Sequence, residues 1–226
     1  LKTIHAIDEA ARTIRAEAGA TWRDIQEAVD PLDLSPAIMQ SFCNFTVGGS
    51  LSVNCHGDYN RHGPIIESVR SIELIVADGA RVHASRDENR DLFHAAIGGY
   101  AGVGVIVEAT LDLAPNQRLE RLTHRMSVAE YPAWHRANVL IRPEVILHHA
   151  VIYPDAYTNV AAEVSTLTDK PLTIGERLAP LGRPGAAERS LLDIVTFAPG
   201  GRAVHEHLYD PLTTPPAVVR RNYEAA

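Results

Sequence analysis

The sequence predicts an α+β fold on three observations. Short runs of alternating apolar and polar residues recur along it, and one pair is joined across Asp78-Gly79, a hairpin signature. Segments of helical period lie between these runs, none of them long. Residues 41–57 place Gly, Ser and Asn among isolated apolar positions and follow neither period, which marks backbone positioned for its own sake. The 226 residues are 46 % hydrophobic and 22 % charged, enough for one large domain or a domain with part of a second.

Each element follows from its local pattern. Residues 13–18 alternate and predict a strand ending at Gly19. Thr21 is the predicted N-cap of the next helix, with Asp24 three positions on and Trp22, Ile25 and Val29 along one face. Pro31 and Pro36 frame a predicted loop. The hairpin begins at residues 72–77, and Asp78-Gly79 is expected to supply the positive φ angles of a tight primed turn. Residues 87–96 read as a short helix, and residues 103–113 as a long strand stopped by Pro115. Beyond it, residues 119–126, 145–153 and 160–166 predict strands, and residues 128–141 and 189–197 predict helices. Residues 168–184 carry three prolines and read as a loop, and the tail from Pro211 reads as irregular. A boundary at residues 115–118 divides the chain into residues 1–116 and 117–226.

Composition removes several classes of function. A net charge of -7, with positive residues interleaved among Asp and Glu, argues against a nucleic-acid surface. The apolar runs are far shorter than the roughly 20 residues that span a bilayer, so a soluble, cytoplasmic protein is expected. Cys43 and Cys55 make no disulfide framework, and no C-x-x-C or nucleophile-elbow motif is present. His205-Glu206-His207 lacks the i, i+4 spacing of helical ligand pairs, so no metal is assigned. His148-His149 falls on a predicted strand, where adjacent side chains face opposite sides and one can face a substrate. The chain opens at Leu1 without Met, signal pattern or cap, and reads as a fragment entered with a domain already under way.

Residues 46–57, TVGGSLSVNCHG, carry the chemistry. Gly48 and Gly49 permit close approach of a ligand to backbone. Their N–H groups, with the Ser50 and Ser52 hydroxyls, are expected to form a nest for a pyrophosphate, aided by a helix starting after Gly49. Asn54, Cys55, His56 and Gly57 follow at a distance suited to the same cavity; a tight polar turn without a ligand is the competing reading. A second cluster, GGYAGVG at residues 98–104, follows a helix and precedes a strand. That is the reverse of the dinucleotide fingerprint, so a Rossmann assignment fails.

The ordered motifs EAGATWRDIQEAV, FTVGGSLSVNCHG, VRSIELIVADG and ENRDLFHAAIGGYAGVGVIVEATLDLAP resemble the second half of the FAD-binding domain of the vanillyl-alcohol-oxidase type, the PCMH-type FAD-linked oxidases. The resemblance covers residues 10–115. It implies that Thr46, Val47, Gly48 and Gly49 wrap the FAD pyrophosphate beside Ser50 and Ser52. Val53, Asn54, His56 and Gly57 would continue toward the flavin, and Gly104 and backbone near Ile106 would meet the adenine. Residues 1–116 are then the FAD-binding domain without its first, R-G-G-G-H-S-like phosphate loop, and residues 117–226 are part of an α+β substrate domain.

Covalent flavin attachment through a His in that loop is left open. Cys43 lies near the place of a cysteinyl link but one residue out of register, and packing is the preferred role for both cysteines. The implied function is an FAD-dependent oxidoreductase moving hydride from a small or sugar-like hydroxyl-bearing substrate to flavin N5, with a separate electron acceptor. No catalytic residue is identified. The alternatives are a non-catalytic module of the FAD-binding fold and an enolpyruvyl-sugar reductase, whose Tyr-Arg-type signature is not visible around ENRDLF.

Overall fold

A computed structural model describes residues 1–152, 157–181 and 216–225. The first half contains β1 (Ile4–Asp8), β2 (Thr13–Glu17), α1 (Trp22–Val29), β3 (Leu34–Pro36), α2 (Val47–Ser52), β4 (Val69–Ile75), β5 (Arg81–Ser85), α3 (Arg90–Ala96) and β6 (Val105–Pro115). Its sheet runs β1-β2-β6-β4-β5, with β3 paired to the far end of β6, and every pairing is antiparallel. The long β6 is the axle of this sheet. Its Ala109, Leu111 and Leu113 are buried, alternating with Thr110, Asp112 and Ala114. That buried face packs in one core with Trp22, Ile25 and Val29 of α1, Val47 and Leu51 of α2, and Phe93 of α3. The other face is a ladder of charge, in which Glu108 meets Arg15 at 3.0 Å and Glu73 meets Arg81 at 3.0 Å.

Local sequence explains most of these elements. The Thr21 hydroxyl accepts from Asp24 N at 3.1 Å, and Thr21 N donates to the Asp24 carboxylate at 2.8 Å, closing the capping box. The loop expected between Pro31 and Pro36 contains β3 instead, because Leu34 and Ser35 are buried against the end of β6. The β4–β5 turn is also not the primed two-residue turn. Val76 N donates to Ala80 O at 3.0 Å across a three-residue loop, and only Gly79 within it has positive φ, 84°. The Asp78 carboxylate takes the Ala80 N–H at 2.9 Å, which leaves the left-handed step to Gly79 alone.

The second half contains β7 (Arg118–Ser127), α4 (Tyr131–His135), β8 (Val145–Ile152), β9 (Asn159–Leu167), β10 (Ala217–Arg220) and α5 (Arg221–Glu224). They form an antiparallel sheet in the order β10-β7-β9-β8. The single helix expected over residues 128–141 is a turn of α-helix that widens into a π turn at Arg136–Leu140. Asn138 Nδ2 donates to Trp134 O at 2.9 Å, taking the carbonyl that an α-helical N–H would use. Residues 216–225 are not irregular: Val218 and Val219 are buried as β10 lies along β7. Residues 189–197 and His205-Glu206-His207 lie outside the described residues. The architecture is α+β.

One loop stitches the two sheets together. Asn60 N donates to Ile146 O at 2.9 Å and His148 N to Asp58 O at 2.7 Å. Asn60 Nδ2 also reaches Val139 O and Val145 O, at 3.0 and 3.2 Å. The segment leading away from α2 is thereby held against β8.

Candidate cofactor site

A cavity of about 360 Å³ opens where the turn after β2, helix α2, and the approach to β6 meet. Gly48, Gly49, Ser52, Gly104 and Ile106 line it, with Ala18, Gly19 and Ala101 completing the small-residue wall. Pairing of β2 with β6 ends at Glu17 opposite Glu108. Beyond that point Val107 O accepts from Ala18 N at 2.9 Å, while Val105 and Ile106 face the cavity.

Helix α2 starts at Val47, three residues earlier than expected. Thr46, in extended conformation, caps it and accepts from Gly49 N at 3.1 Å, so both glycines lie in the first turn. This placement alters the expected nest. Val47 N donates to Ala20 O at 2.8 Å and Gly48 N to Ala18 O at 2.7 Å. The N–H groups of Val47, Gly48 and Gly49 therefore already have protein acceptors. Their contribution is bare backbone surface rather than free donors. A Cβ on Gly48 would lie 2.7 Å from Ala18 Cβ, so glycine there allows α2 to sit on the β2 turn. A Cβ on Gly49 would meet only its own cap, Thr46 Oγ1, at 3.0 Å.

Ser50 is a second correction. Its hydroxyl is buried away from the cavity, accepting from Trp22 Nε1 at 2.9 Å and donating to Gln40 Oε1 at 2.9 Å. Val47 is wholly buried, and Thr46 serves as cap. Val53, Asn54, His56 and Gly57 are not on the cavity wall. Asn54 adopts φ 46° and accepts from Ile66 N at 3.2 Å, which turns the chain toward β8. His56 is exposed. At Gly57 a Cβ would stand 2.2 Å from Met39 O, so the close approach there requires glycine.

The opposite wall is conformationally strained. Tyr100 and Ala101 have φ of 51° and 63°, a region other residues enter rarely and at a cost on the order of 1–3 kcal/mol each. Gly104, at φ 155°, passes so near Ile75 O that a Cβ would lie 2.8 Å away. Ala18, Gly19 and Ala101 were not anticipated as wall residues; Gly19 after a strand was the available signal. Cys43 is buried and Cys55 half-buried, both are free thiols, and burial pushes the Cys55 thiol pKa up. Among the described residues no group of three or more His, Cys, Asp or Glu could hold a metal ion, and no helix is long and apolar enough to cross a membrane.

Comparison with known proteins bears on this geometry directly. Residues 1–85 match the family model described as FAD binding domain. The chain is 34 % identical over 109 residues to cytokinin dehydrogenase 9 of Oryza sativa subsp. japonica, covering 48 % of this chain and 21 % of that protein. It is 33 % identical over 109 residues to alditol oxidase of Streptomyces sp., covering 48 % and 26 %. Decaprenylphosphoryl-beta-D-ribose oxidase of Mycolicibacterium smegmatis is 31 % identical over 119 residues, covering 52 % and 26 %. The chain thus spans about a quarter or less of the length of these relatives.

Cavity and matched segment together mark residues 1–85 as similar to an FAD-binding domain. Over about half its length the chain is similar to these oxidases and dehydrogenases, and the matched segment assigns FAD as its cofactor. The wall fits such a group: it presents backbone and short side chains where a dinucleotide must lie close, and space opens in front of Gly49.

Proposed function

We propose that this chain is part of an FAD-dependent oxidoreductase that removes hydride from a hydroxyl-bearing carbon of a small or sugar-like substrate, with flavin N5 as acceptor. The observation that carries this reading is the glycine wall of Gly48 and Gly49 facing Gly104 and Ile106, half of it inside the matched FAD-binding segment. Two relatives are by name oxidases of an alditol and of a phosphorylated ribose, both rich in hydroxyl groups.

In this reading residues 1–116 bind FAD and residues 117–226 contribute part of a substrate domain. Gly48, Gly49 and Ser52 would hold the pyrophosphate region, and the open edge of β6 at Ile106 would take the adenosine end. Thr46, Val47 and Ser50 keep α2 in place, while residues 53–57 lead toward the flavin ring. Bound FAD supplies the two-electron acceptor; the protein supplies binding, orientation and electrostatics.

The purified chain should show the visible flavin band, or gain it on incubation with FAD. Gly49→Val should abolish that retention, because a branched side chain would enter the cavity. Full flavin occupancy in the variant would sink the placement. A second reading, a non-catalytic module of the same fold, is favoured by the bonded N–H groups of Val47, Gly48 and Gly49. It predicts a chain that stays colourless with FAD.

A further inference from the structure

Strands β7 and β10 meet at one end of the second sheet with two like charges face to face. Arg118, the first residue of β7, stands directly opposite Arg220, the last of β10. Directly opposed side chains share a face of the sheet, and like charges so placed destabilise it. The two arginines line a cavity of about 700 Å³ together with Asp33, Gln117, Thr168 and Asp169. This is not the cofactor cavity. Strand β6 runs from one to the other, with Ile106 in the wall of the first and Pro115 in the wall of the second. Nine steps along the strand, at about 3.4 Å each, place them roughly 30 Å apart.

The positive charge of this pair is only partly neutralised. Arg220 bonds Asp33 Oδ1 at 3.2 Å, but the same oxygen takes the closer Arg177 at 2.6 Å. Arg118 has no carboxylate partner among the described residues. Its Nη1 makes two long contacts, both 3.4 Å, to the carbonyl oxygens of Asp169 and Lys170, and its Nε and Nη2 make none among them. A guanidinium presents its donors as a planar fork that matches the oxygens of a phosphate. The groups around it also have capacity to spare. Among the described residues the Gln117 amide and the Asp169 carboxylate make no side-chain hydrogen bond. The Thr168 hydroxyl accepts from Lys170 N at 3.3 Å and keeps its own proton to donate.

We propose that this cavity binds a small phosphorylated, hydroxyl-rich molecule of the sugar-phosphate class. The phosphate sits between Arg118 and Arg220 and relieves the repulsion between them. A bare anion fits less well, because Asp169 brings a negative charge to the same wall. A carboxylate only accepts hydrogen bonds, so Asp169 requires donors, and the sugar hydroxyls supply them. Gln117 and Thr168 bond the same hydroxyls. A volume of about 700 Å³ lies within the range of small-molecule sites and leaves room for a phosphate and a sugar ring together.

Ribose 5-phosphate, inorganic phosphate and ribose separate the two halves of this recognition. Ribose 5-phosphate should bind the full chain saturably, moving its own 31P resonance and the side-chain amide of Gln117. Inorganic phosphate should bind more weakly, and free ribose not at all. Arg118→Gln should weaken ribose 5-phosphate by about 10–100-fold, the loss expected when a hydrogen-bonded charge is removed, and Arg118→Lys should fall between the two. Arg118 contributes little to the fold, so the ligand-free thermal midpoint of Arg118→Gln should equal or exceed that of the wild type. Ribose 5-phosphate should raise the midpoint of the wild type and leave that of Arg118→Gln in place. Arg142→Gln removes a surface arginine paired with Glu144 at 2.7 Å and should bind as the wild type does. Binding that does not saturate, or that Arg118→Gln retains, overturns the proposal, as does an equal loss in Arg142→Gln. Inorganic phosphate binding as tightly as ribose 5-phosphate would overturn the part given to the hydroxyls.

Discussion

Asn222 Nδ2 donates to Asp30 Oδ1 at 3.0 Å, joining residues 192 positions apart inside a buried polar knot. Asn116 Nδ2 donates to the same oxygen at 2.7 Å, and Arg177 bonds the other carboxylate oxygen. Asn222 also donates to Leu34 O at 2.8 Å and accepts from Gln26 at its own carbonyl. The knot ties α1, the junction between β6 and β7, and the segment carrying β10 into one body. Removing one partner of such a knot leaves the others buried and unpaired, which costs more than the bond itself contributed. Asp30→Ala should therefore lower stability by on the order of 3 kcal/mol in urea unfolding. A loss within experimental error would mean that the C-terminal segment is not anchored there.

Gly48→Ala pits two effects against each other. Alanine in a helix is favoured over glycine by about 1 kcal/mol. The new Cβ, however, would sit 2.7 Å from Ala18 Cβ and 3.0 Å from Ala18 O. Ala18 cannot retreat without breaking its 2.7 Å bond from Gly48 N. Overpacking of this kind costs roughly 1–3 kcal/mol, so it should win by about 1 kcal/mol. The thermal midpoint of the variant should fall; a rise would show that α2 has room to shift.

Ser50→Ala separates core from cofactor. The hydroxyl bridges Trp22 Nε1 and Gln40, so its removal strands a buried indole N–H at a cost of about 1–3 kcal/mol. Flavin retention, read as the ratio of visible to protein absorbance, should be unchanged in the folded variant. Lost retention at full folding would return Ser50 to the cavity wall.

The contrast at Ser50 shows what the amino-acid order could and could not reveal. Capping at Thr21, the alternation of β6 and the hairpin at Gly79 depend on neighbours in sequence, and they were legible there. The glycine pair at 48–49 was legible as backbone placed for a reason. Which way Ser50 points was not, because Trp22 and Gln40 reach it only after α1 packs on α2. The same holds for the N–H groups of Val47 and Gly48, whose acceptors lie on the turn after β2. Strand β10 was missed because its four residues acquire a partner only when β7, about a hundred positions earlier, lies beside them.

His148 faces away from His149 and gives the second sheet a pH dependence of its own. Its Nδ1 is 2.8 Å from Glu163 O and its Nε2 2.9 Å from the Tyr131 hydroxyl. A carbonyl only accepts, so Nδ1 carries the proton and Nε2 accepts from Tyr131; the neutral ring satisfies both partners. Burial lowers the His148 pKa, the bond to Glu163 O opposes this, and the positive charges of His135 and His149 add to the lowering. The folded protein therefore holds this proton less tightly than the unfolded chain. Its contribution to stability is complete above the unfolded value, about pH 6.5, and is lost as pH falls through the lower folded value. Urea midpoints of the wild type should accordingly drop more steeply than those of His148→Gln as pH falls from about 7.5 to about 5. Glutamine cannot take up the proton, so parallel slopes in the two proteins would remove His148 as the source.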